Sequence, residues 1–476
     1  MYLINVSTQL TYTWWKDYRI YVLLFSLLKL YNLDIPVLDE HNWRQCLTLG
    51  VARNFIEIDP NILYPRTPIC DSRSGIIPQE FPILNYLIAM FWYVFGQENW
   101  VFRLIMIITT SMGLVAFYKF IKEQFNRDIA LLSLILFASS IAFAYSRKAM
   151  PDMFAISLCL GSLYFGLKYL QNGRILYLLL YVILASLGLL SKMPAAIVMC
   201  LLILPILDDK IKSQNKLWLI SASLIPLCLL FLWYFKWVPY LEDTYGFKLY
   251  YTRSFADGWR EIMNLGSRTF ERFSPILFQN HIHFFAAAAG LFFMIRMLKW
   301  KLIFTILSSI IISVFFIAKT GKVFANHEYY ILPLIPFMSL LAAYFYKVLL
   351  DRSIYTWLFI GILSLLSLHR QWHHMSIKEN LKHYTALEAI VTEHIPEGKK
   401  IMINSINGNP MPLYMAHRNG WLNTDKYLDT MWLAGERTVG LDYLLLLKEK
   451  LPESTPFTNP LYEDEHFLIY KNNYVK

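Results

Sequence analysis

The segment Asp39-Glu40-His41-Asn42-Trp43-Arg44-Gln45 decides how this chain is read, because it sets two carboxylates, an arginine and a tryptophan directly after an apolar run near 19–34. Ala52-Arg53-Asn54-Phe55, Leu63-Tyr64-Pro65-Arg66 and Glu80-Phe81-Pro82 continue it, and the main series of apolar runs begins only after residue 100. A first run that can enter a membrane makes residues 35–100 a long loop between spans. Carboxylates, arginines and tryptophans gathered in such a loop point to a chemical use at one face of the bilayer.

Outward from that loop, the whole chain has membrane character. Of 476 residues, 56% are hydrophobic and 16% charged, with a mean hydropathy of +0.40; a soluble domain carries about 25% charged residues. Apolar runs near 19–34, 102–121, 129–146, 153–170, 175–191, 193–208, 217–238, 283–297, 302–318, 329–350 and 353–369 predict a polytopic α-helical membrane protein of about eleven transmembrane helices. The net charge is +10, but the basic residues sit between apolar blocks, which fits membrane orientation better than nucleic-acid binding. Trp14-Trp15-Lys16-Asp17-Tyr18-Arg19 reads as an interfacial collar before a retained anchor, not as a cleaved leader.

One set of alternate loops holds Lys119, Lys122, Arg127, Lys168, Arg174, Lys210, Lys212, Lys216, Arg296, Lys299, Lys301, Lys347 and Arg352, and is predicted to be cytoplasmic. The opposite set should be poor in positive charge, yet carries Arg147, Lys148, Lys192, Lys319 and Lys322. Orientation does not require those residues; an anionic ligand at the outer face does. In the first loop Trp43, Leu47, Val51 and Phe55 recur every four residues, which predicts an amphipathic helix lying in the headgroup plane with its apolar side in lipid. Cys46 and Cys70 fall in outer segments where they could pair, while Cys159, Cys200 and Cys228 fall in apolar spans. Residues 376–476 turn polar, and strand patterns at 400–404, 443–447 and 467–470 among helical stretches predict a small α/β domain.

Several motifs stand in a telling order: Asp39-Glu40 with Arg44 and Arg53, Glu80-Phe81-Pro82, Arg147-Lys148-Ala149-Met150-Pro151-Asp152, Lys192-Met193-Pro194 and His327-Glu328-Tyr329-Tyr330. Together they resemble the GT-C superfamily of integral-membrane glycosyltransferases, in its aminoarabinose transferase and protein O-mannosyltransferase branch, over most of residues 35–340. The resemblance implies the GT-C fold, with a transmembrane catalytic domain over 1–375 and a periplasmic α/β domain over 376–476. It implies inverting transfer of a hexosyl or pentosyl group from a polyprenyl-phosphate donor to an acceptor hydroxyl on a lipid (lipid A included), a cell-envelope glycan or a protein. The setting it implies is the periplasmic face of a bacterial inner membrane. Phe81 stands where the aminoarabinose branch has lysine, which speaks against that particular sugar.

Such a reaction needs a base for the acceptor hydroxyl, positive charge for the departing phosphate and an apolar groove for the prenyl tail. One carboxylate among several cations suits this better than glycoside hydrolysis, which uses a dedicated carboxylate pair. The resemblance places the base at Asp39, with Asp152 and Glu80 as the further catalytic carboxylates. Glu40, Arg44, Arg53, Arg66, Arg147, Lys148, Lys192, Lys322, His327 and Tyr330 are the expected substrate-binding residues. Each has a plainer reading: Asp39 and Asp152 as helix-end carboxylates, the cations as lipid-headgroup contacts, and His327 as a hydrogen-bonded histidine at a helix start. A divalent cation could sit on the carboxylates, but lysine and arginine can do the same electrostatic work, and no obligatory metal is expected. His369, His373, His374 and His383 read as a solvated helix face. The rival function is a transporter or flippase of an anionic lipid-linked glycan. Against it, the charges collect on one face and no paired inverted halves are visible. A scaffold whose C-terminal domain binds a partner leaves the first loop unexplained.

Overall fold

The computed structural model describes residues 14–247, 253–405, 408–423, 426–452 and 456–474. Among them, five helices are long and apolar enough to cross a membrane: Asn99–Gln124, Pro151–Asn172, Ser213–Tyr245, Trp300–Thr320 and Glu328–Leu350. A sixth crossing is available if Gly266–Ile276 and His281–Arg296, bent by 93° at their junction, act as one. Tyr18–Leu28, Ile83–Phe95, Ile175–Ser191 and Met193–Ile206 are shorter apolar helices. The multi-pass helical bundle is as expected, with five or six helices among the described residues of full spanning length and other apolar runs forming shorter helices.

Local chemistry accounts for the shorter helices. The run near 129–146 stops as a helix at Ser139, where the Ser139 and Ser140 hydroxyls donate to the carbonyls of Ile135 (2.8 Å) and Phe137 (2.6 Å). The run near 193–208 holds Pro194 and Pro205 and breaks into short helical pieces. The first run is helical only over Tyr18–Leu28, and the chain turns at Asn32, whose φ is 50°.

The helix Asn42–Glu57 forms as predicted, but of its apolar stripe only Trp43 is exposed. Leu47, Val51 and Phe55 are buried, and so are Arg44, Gln45, Thr48, Ala52 and Asn54 around the rest of the cylinder. Helix Ile83–Phe95 covers one side and the short helix Met411–Met415 of the C-terminal region another. A helix enclosed this way must pair its polar groups internally. Asn85 Nδ2 donates to the Thr48 carbonyl at 2.7 Å, and Asn54 Nδ2 to the Arg66 carbonyl at 3.0 Å. Cys46 and Cys70 are both buried and free.

The C-terminal region holds a five-stranded sheet of β1 (Ile401–Ile403), β2 (Gly420–Leu422), β3 (Tyr443–Leu447), β4 (Tyr462–Glu463) and β5 (Phe467–Lys471), in the order β2-β1-β3-β5-β4. β1 lies parallel to β2 and β3, and β5 is antiparallel to both β3 and β4. Alternation along the strands sends side chains to two cores. Ile401, Ile403, Leu445, Leu447, Phe467 and Ile469 join the main body; Met402, Leu444, Leu446, Leu468 and Tyr470 pack with Leu433 on the outer helix Thr430–Arg437. The first loop docks on the sheet's edge: Gly420 N–H donates to the Pro68 carbonyl at 2.9 Å, and Cys70 N–H to the Gly420 carbonyl at 3.0 Å. The polar first loop is thereby roofed by the C-terminal region at one end of the bundle. At the other end, Asp128 lies between Lys16 (3.4 Å) and Lys347 (3.5 Å).

Candidate active site

Beneath that roof lie three carboxylate-centred clusters. The first is built on Asp39, at the turn leading into helix Asn42–Glu57, and on Lys148, in the short connection before helix Pro151–Asn172. Lys148 Nζ is 2.8 Å from Asp39 Oδ2, and Gln45 Nε2 donates to Asp39 Oδ1 at 2.5 Å. The same ammonium reaches the carbonyls of Glu40 (2.9 Å) and His374 (3.2 Å), so its three protons have three acceptors. Burial alone would raise the Asp39 carboxyl. Lys148, Arg103 and the hydrogen bonds from Lys148 and Gln45 outweigh it and hold the group below the usual carboxylate value. Asp39 is thus a buried, ionised carboxylate.

The second cluster joins the first loop to two helix ends. Glu80 Oε1 lies 2.8 Å from Arg44 Nη2 and 2.7 Å from Lys192 Nζ, and Lys192 Nζ is 3.8 Å from Asp152 Oδ1. Asp152 opens helix Pro151–Asn172, where a carboxylate also meets the positive end of the helix dipole. Its Oδ2 is buried without a hydrogen-bond partner. Tyr330 presents its ring 5.9 Å from the Lys192 ammonium.

The third cluster surrounds Glu328. Tyr145 Oη donates to Glu328 Oε1 at 2.7 Å, and Nε2 of His41 and of His374 lie 3.5 and 3.6 Å from that oxygen. His41 has a left-handed backbone, with φ at 59°, and its ring stands edge-on to Tyr329 at 5.3 Å. Its neighbour His327 is 6.3 Å away, ring to ring. Burial, and then the nearby Lys148, push the His374 imidazole down to about 4, so it is neutral at neutral pH. Nothing in its sequence context separated His374 from His373; it is buried, not part of the solvated face expected of it.

The fold therefore gathers Asp39, Arg44, Glu80, Lys148, Asp152, Lys192, His327 and Tyr330 at one end of the bundle, and engages the other expected residues differently. Arg147 donates to the carbonyls of Tyr31 and of Asn32 (2.6 Å), tying down the turn after the first helix. Arg53 stacks on Tyr414 at 4.2 Å and donates to its carbonyl at 2.9 Å, fixing the C-terminal domain. Arg66 pairs with Asp59 at 2.9 Å inside the loop. Lys322 meets Glu261 through its backbone N–H at 2.8 Å, and Glu40 meets Lys378 at 2.7 Å. Sequence reasoning missed Gln45, Arg103, Tyr145, Glu328 and His374. Glu328 lay inside a quoted motif, whereas Tyr145 carried no signal beyond an apolar run. Among the described residues no three His, Cys, Asp or Glu side chains converge as metal ligands.

Residues 78–234 match the family model described as dolichyl-phosphate-mannose-protein mannosyltransferase. No curated protein sequence matches the chain. In three dimensions it is similar to ArnT from Cupriavidus metallidurans bound to undecaprenyl phosphate, with a TM-score of 0.64 and 11% identity over 97% of this chain and 99% of that one. AglB from Archaeoglobus fulgidus, in complex with an inhibitory peptide and a dolichol-phosphate, gives a TM-score of 0.51 at 12% identity, covering 91% of this chain and 70% of that one. The mycobacterial arabinofuranosyltransferase AftD gives 0.51 at 11% identity, covering 95% of this chain and 41% of that one.

Proposed function

We infer, for a chain with the GT-C fold of membrane glycosyltransferases, that it moves a sugar from a polyprenyl-phosphate donor to an acceptor hydroxyl at the periplasmic face of a bacterial inner membrane. The observation that carries the reading is the pairing, under one loop, of an ionised buried carboxylate, Asp39, with a separate two-cation centre made by Arg44 and Lys192. The family match over 78–234 and the fold shared with a protein holding undecaprenyl phosphate support the donor class. The lysine-rich opposite end supports the orientation.

In this reading Asp39 accepts the proton of the acceptor hydroxyl. The new bond forms between that oxygen and the anomeric carbon as the bond from carbon to phosphate oxygen breaks. The bonding pair leaves with the phosphate, whose growing charge meets Arg44 and Lys192. A single displacement inverts the anomeric centre. Lys148 and Gln45 orient the carboxylate and keep it ionised, while Asp152 holds Lys192 in place. Glu328, set among the rings of His41, Tyr145 and Tyr329, has the polar and aromatic faces that suit a sugar.

The deciding experiment is transfer of labelled sugar from polyprenyl-phosphate donors into membrane extract fractions, comparing the natural protein with Asp39→Asn. Label entering one fraction with the natural protein alone identifies the acceptor class. Donor crossing sealed vesicles without transfer refutes the reading in favour of a transporter.

A further inference from the structure

Resting on the donor reading above, a feature of the second cluster goes past it. Arg44 and Lys192 approach a single atom, Glu80 Oε1, at 2.8 and 2.7 Å. Two cations converging on one anionic oxygen suit a phosphoryl oxygen as well as a carboxylate. The other cations of the site are committed elsewhere. Lys148 gives its three protons to Asp39, Glu40 and His374, and Arg147 is held by the Tyr31 and Asn32 carbonyls.

The surroundings point to an anion as well. Arg44, Gln79, Glu80 and Ser191 line one narrow cavity. Gln79 is 3% exposed and its Nε2 donor has no hydrogen-bond partner there, a cost that an incoming acceptor atom relieves. The anchoring also differs between the partners. Arg44 lies within helix Asn42–Glu57, and Lys192 joins the ends of Ile175–Ser191 and the helix that follows. Glu80 sits on an irregular segment just ahead of helix Ile83–Phe95. Glu80 and Lys192 both lie outside regular structure, while the backbone beside Glu80 is held by Trp233 Nε1 donating to the Gln79 carbonyl at 3.0 Å and by the Phe81 N–H donating to the Leu190 carbonyl at 3.1 Å, so displacing the carboxylate needs only a rotation of the Glu80 side chain.

We propose that Glu80 is a built-in counter-ion: in the ligand-free protein its carboxylate occupies the Arg44–Lys192 centre, and the phosphoryl group of a prenyl phosphate displaces it. The device keeps two buried cations paired between turnovers. It also acts as a tethered competitor, lowering the apparent affinity for phosphate and favouring release of the spent lipid phosphate. Asp152, 3.8 Å from Lys192, remains beside that cation throughout.

Farnesyl phosphate binding to the full-length protein in detergent tests this, with inorganic phosphate as a second ligand. Glu80→Gln should bind farnesyl phosphate about tenfold or more tighter than the natural protein, because the competing charge is gone, while Lys192→Met should bind it more weakly. In the natural protein, carbodiimide coupling of glycine ethyl ester to Glu80, read by mass spectrometry, should rise as farnesyl phosphate is added; this needs no variant to fold. Equal labelling with inorganic phosphate would keep the displacement but make the phosphoryl group alone its cause. Saturable binding with unchanged or weaker affinity in Glu80→Gln, or with flat labelling, overturns the counter-ion and leaves the donor reading standing. No saturable binding to the natural protein overturns both.

Discussion

Lys148 and Asp39, 109 positions apart in sequence, meet at 2.8 Å with side chains only 1% and 5% exposed. Removing one member of such a pair strands the other's charge, which costs about 3–5 kcal/mol, whereas replacing both with neutral groups of similar size is often close to neutral. Asp39 is therefore expected to matter twice, to folding and to chemistry, and the two can be separated.

Asp39→Asn should abolish sugar transfer and also lower the melting temperature in detergent. Adding Lys148→Met should recover much of the lost stability and none of the transfer. Thermal melts and labelled-sugar transfer on the same preparations check this. Transfer restored along with stability would make Asp39 a structural residue only.

The same pair sets an acid limit. The Asp39 carboxyl is held below its ordinary value, so the folded protein binds the proton less readily than the unfolded chain does. Its contribution is complete above the unfolded value of about 4 and is lost as pH falls through the folded value below that. Melts between about pH 7 and 3 should show a fall in stability confined to the acid end, and the Asp39→Asn, Lys148→Met double variant should lack that component.

How far the sequence reached follows from the same residues. Lys148 and Lys192 could be singled out because positive charge in loops expected to be poor in it has no topological reason, whereas Asp39, Arg44, Glu80 and Asp152 were legible as motifs of the GT-C resemblance. Arg53, Arg66 and Arg147 carry the same signature, yet their guanidinium groups tie loops to carbonyls or to a nearby carboxylate. Charge pattern does not distinguish a ligand cation from a structural one. Helix Asn42–Glu57 was legible as a helix but not as an enclosed one, since its cover comes from Met411–Met415, far along the chain. Pairs such as Tyr145 with Glu328, 183 positions apart, depend on tertiary packing and leave no local trace. The apolar helix Ile83–Phe95, with 13 residues, is shorter than the ~20 that a straight span needs and so did not stand out among the candidate spans.

Helix packing gives a stability test away from the site. Gly290 in His281–Arg296 faces helix Ile335–Leu350 so closely that a Cβ there would stand 1.9 Å from the Leu341 carbonyl oxygen. Gly290→Ala must part the two helices and should lower the melting temperature by several degrees, in the range of overpacked cores at about 1–3 kcal/mol. Gly361→Ala, with nothing within 4 Å, should be neutral or stabilising by about 0.4–1 kcal/mol. Similar losses at both positions would contradict the close helix contact.

The C-terminal domain is pinned to the first loop by a group that titrates. His417 Nδ1 lies 2.8 Å from Glu388 and its Nε2 2.8 Å from Glu57, so the doubly protonated ring bridges the domain and helix Asn42–Glu57. Hydrogen bonds to Glu388 and Glu57 raise the imidazole above its ordinary value, against burial and the nearby Arg53. The sign follows: the clamp is complete below about 6.5, the unfolded value, and is lost as pH rises through the folded value above it. The protection factors of amides in helix Asn42–Glu57, which remove the intrinsic pH dependence of exchange, should therefore fall as pH rises through that folded value. His417→Gln should show low protection at every pH and no such step. A step that survives in His417→Gln would assign the titration to another group and leave His417 a pH-independent contact.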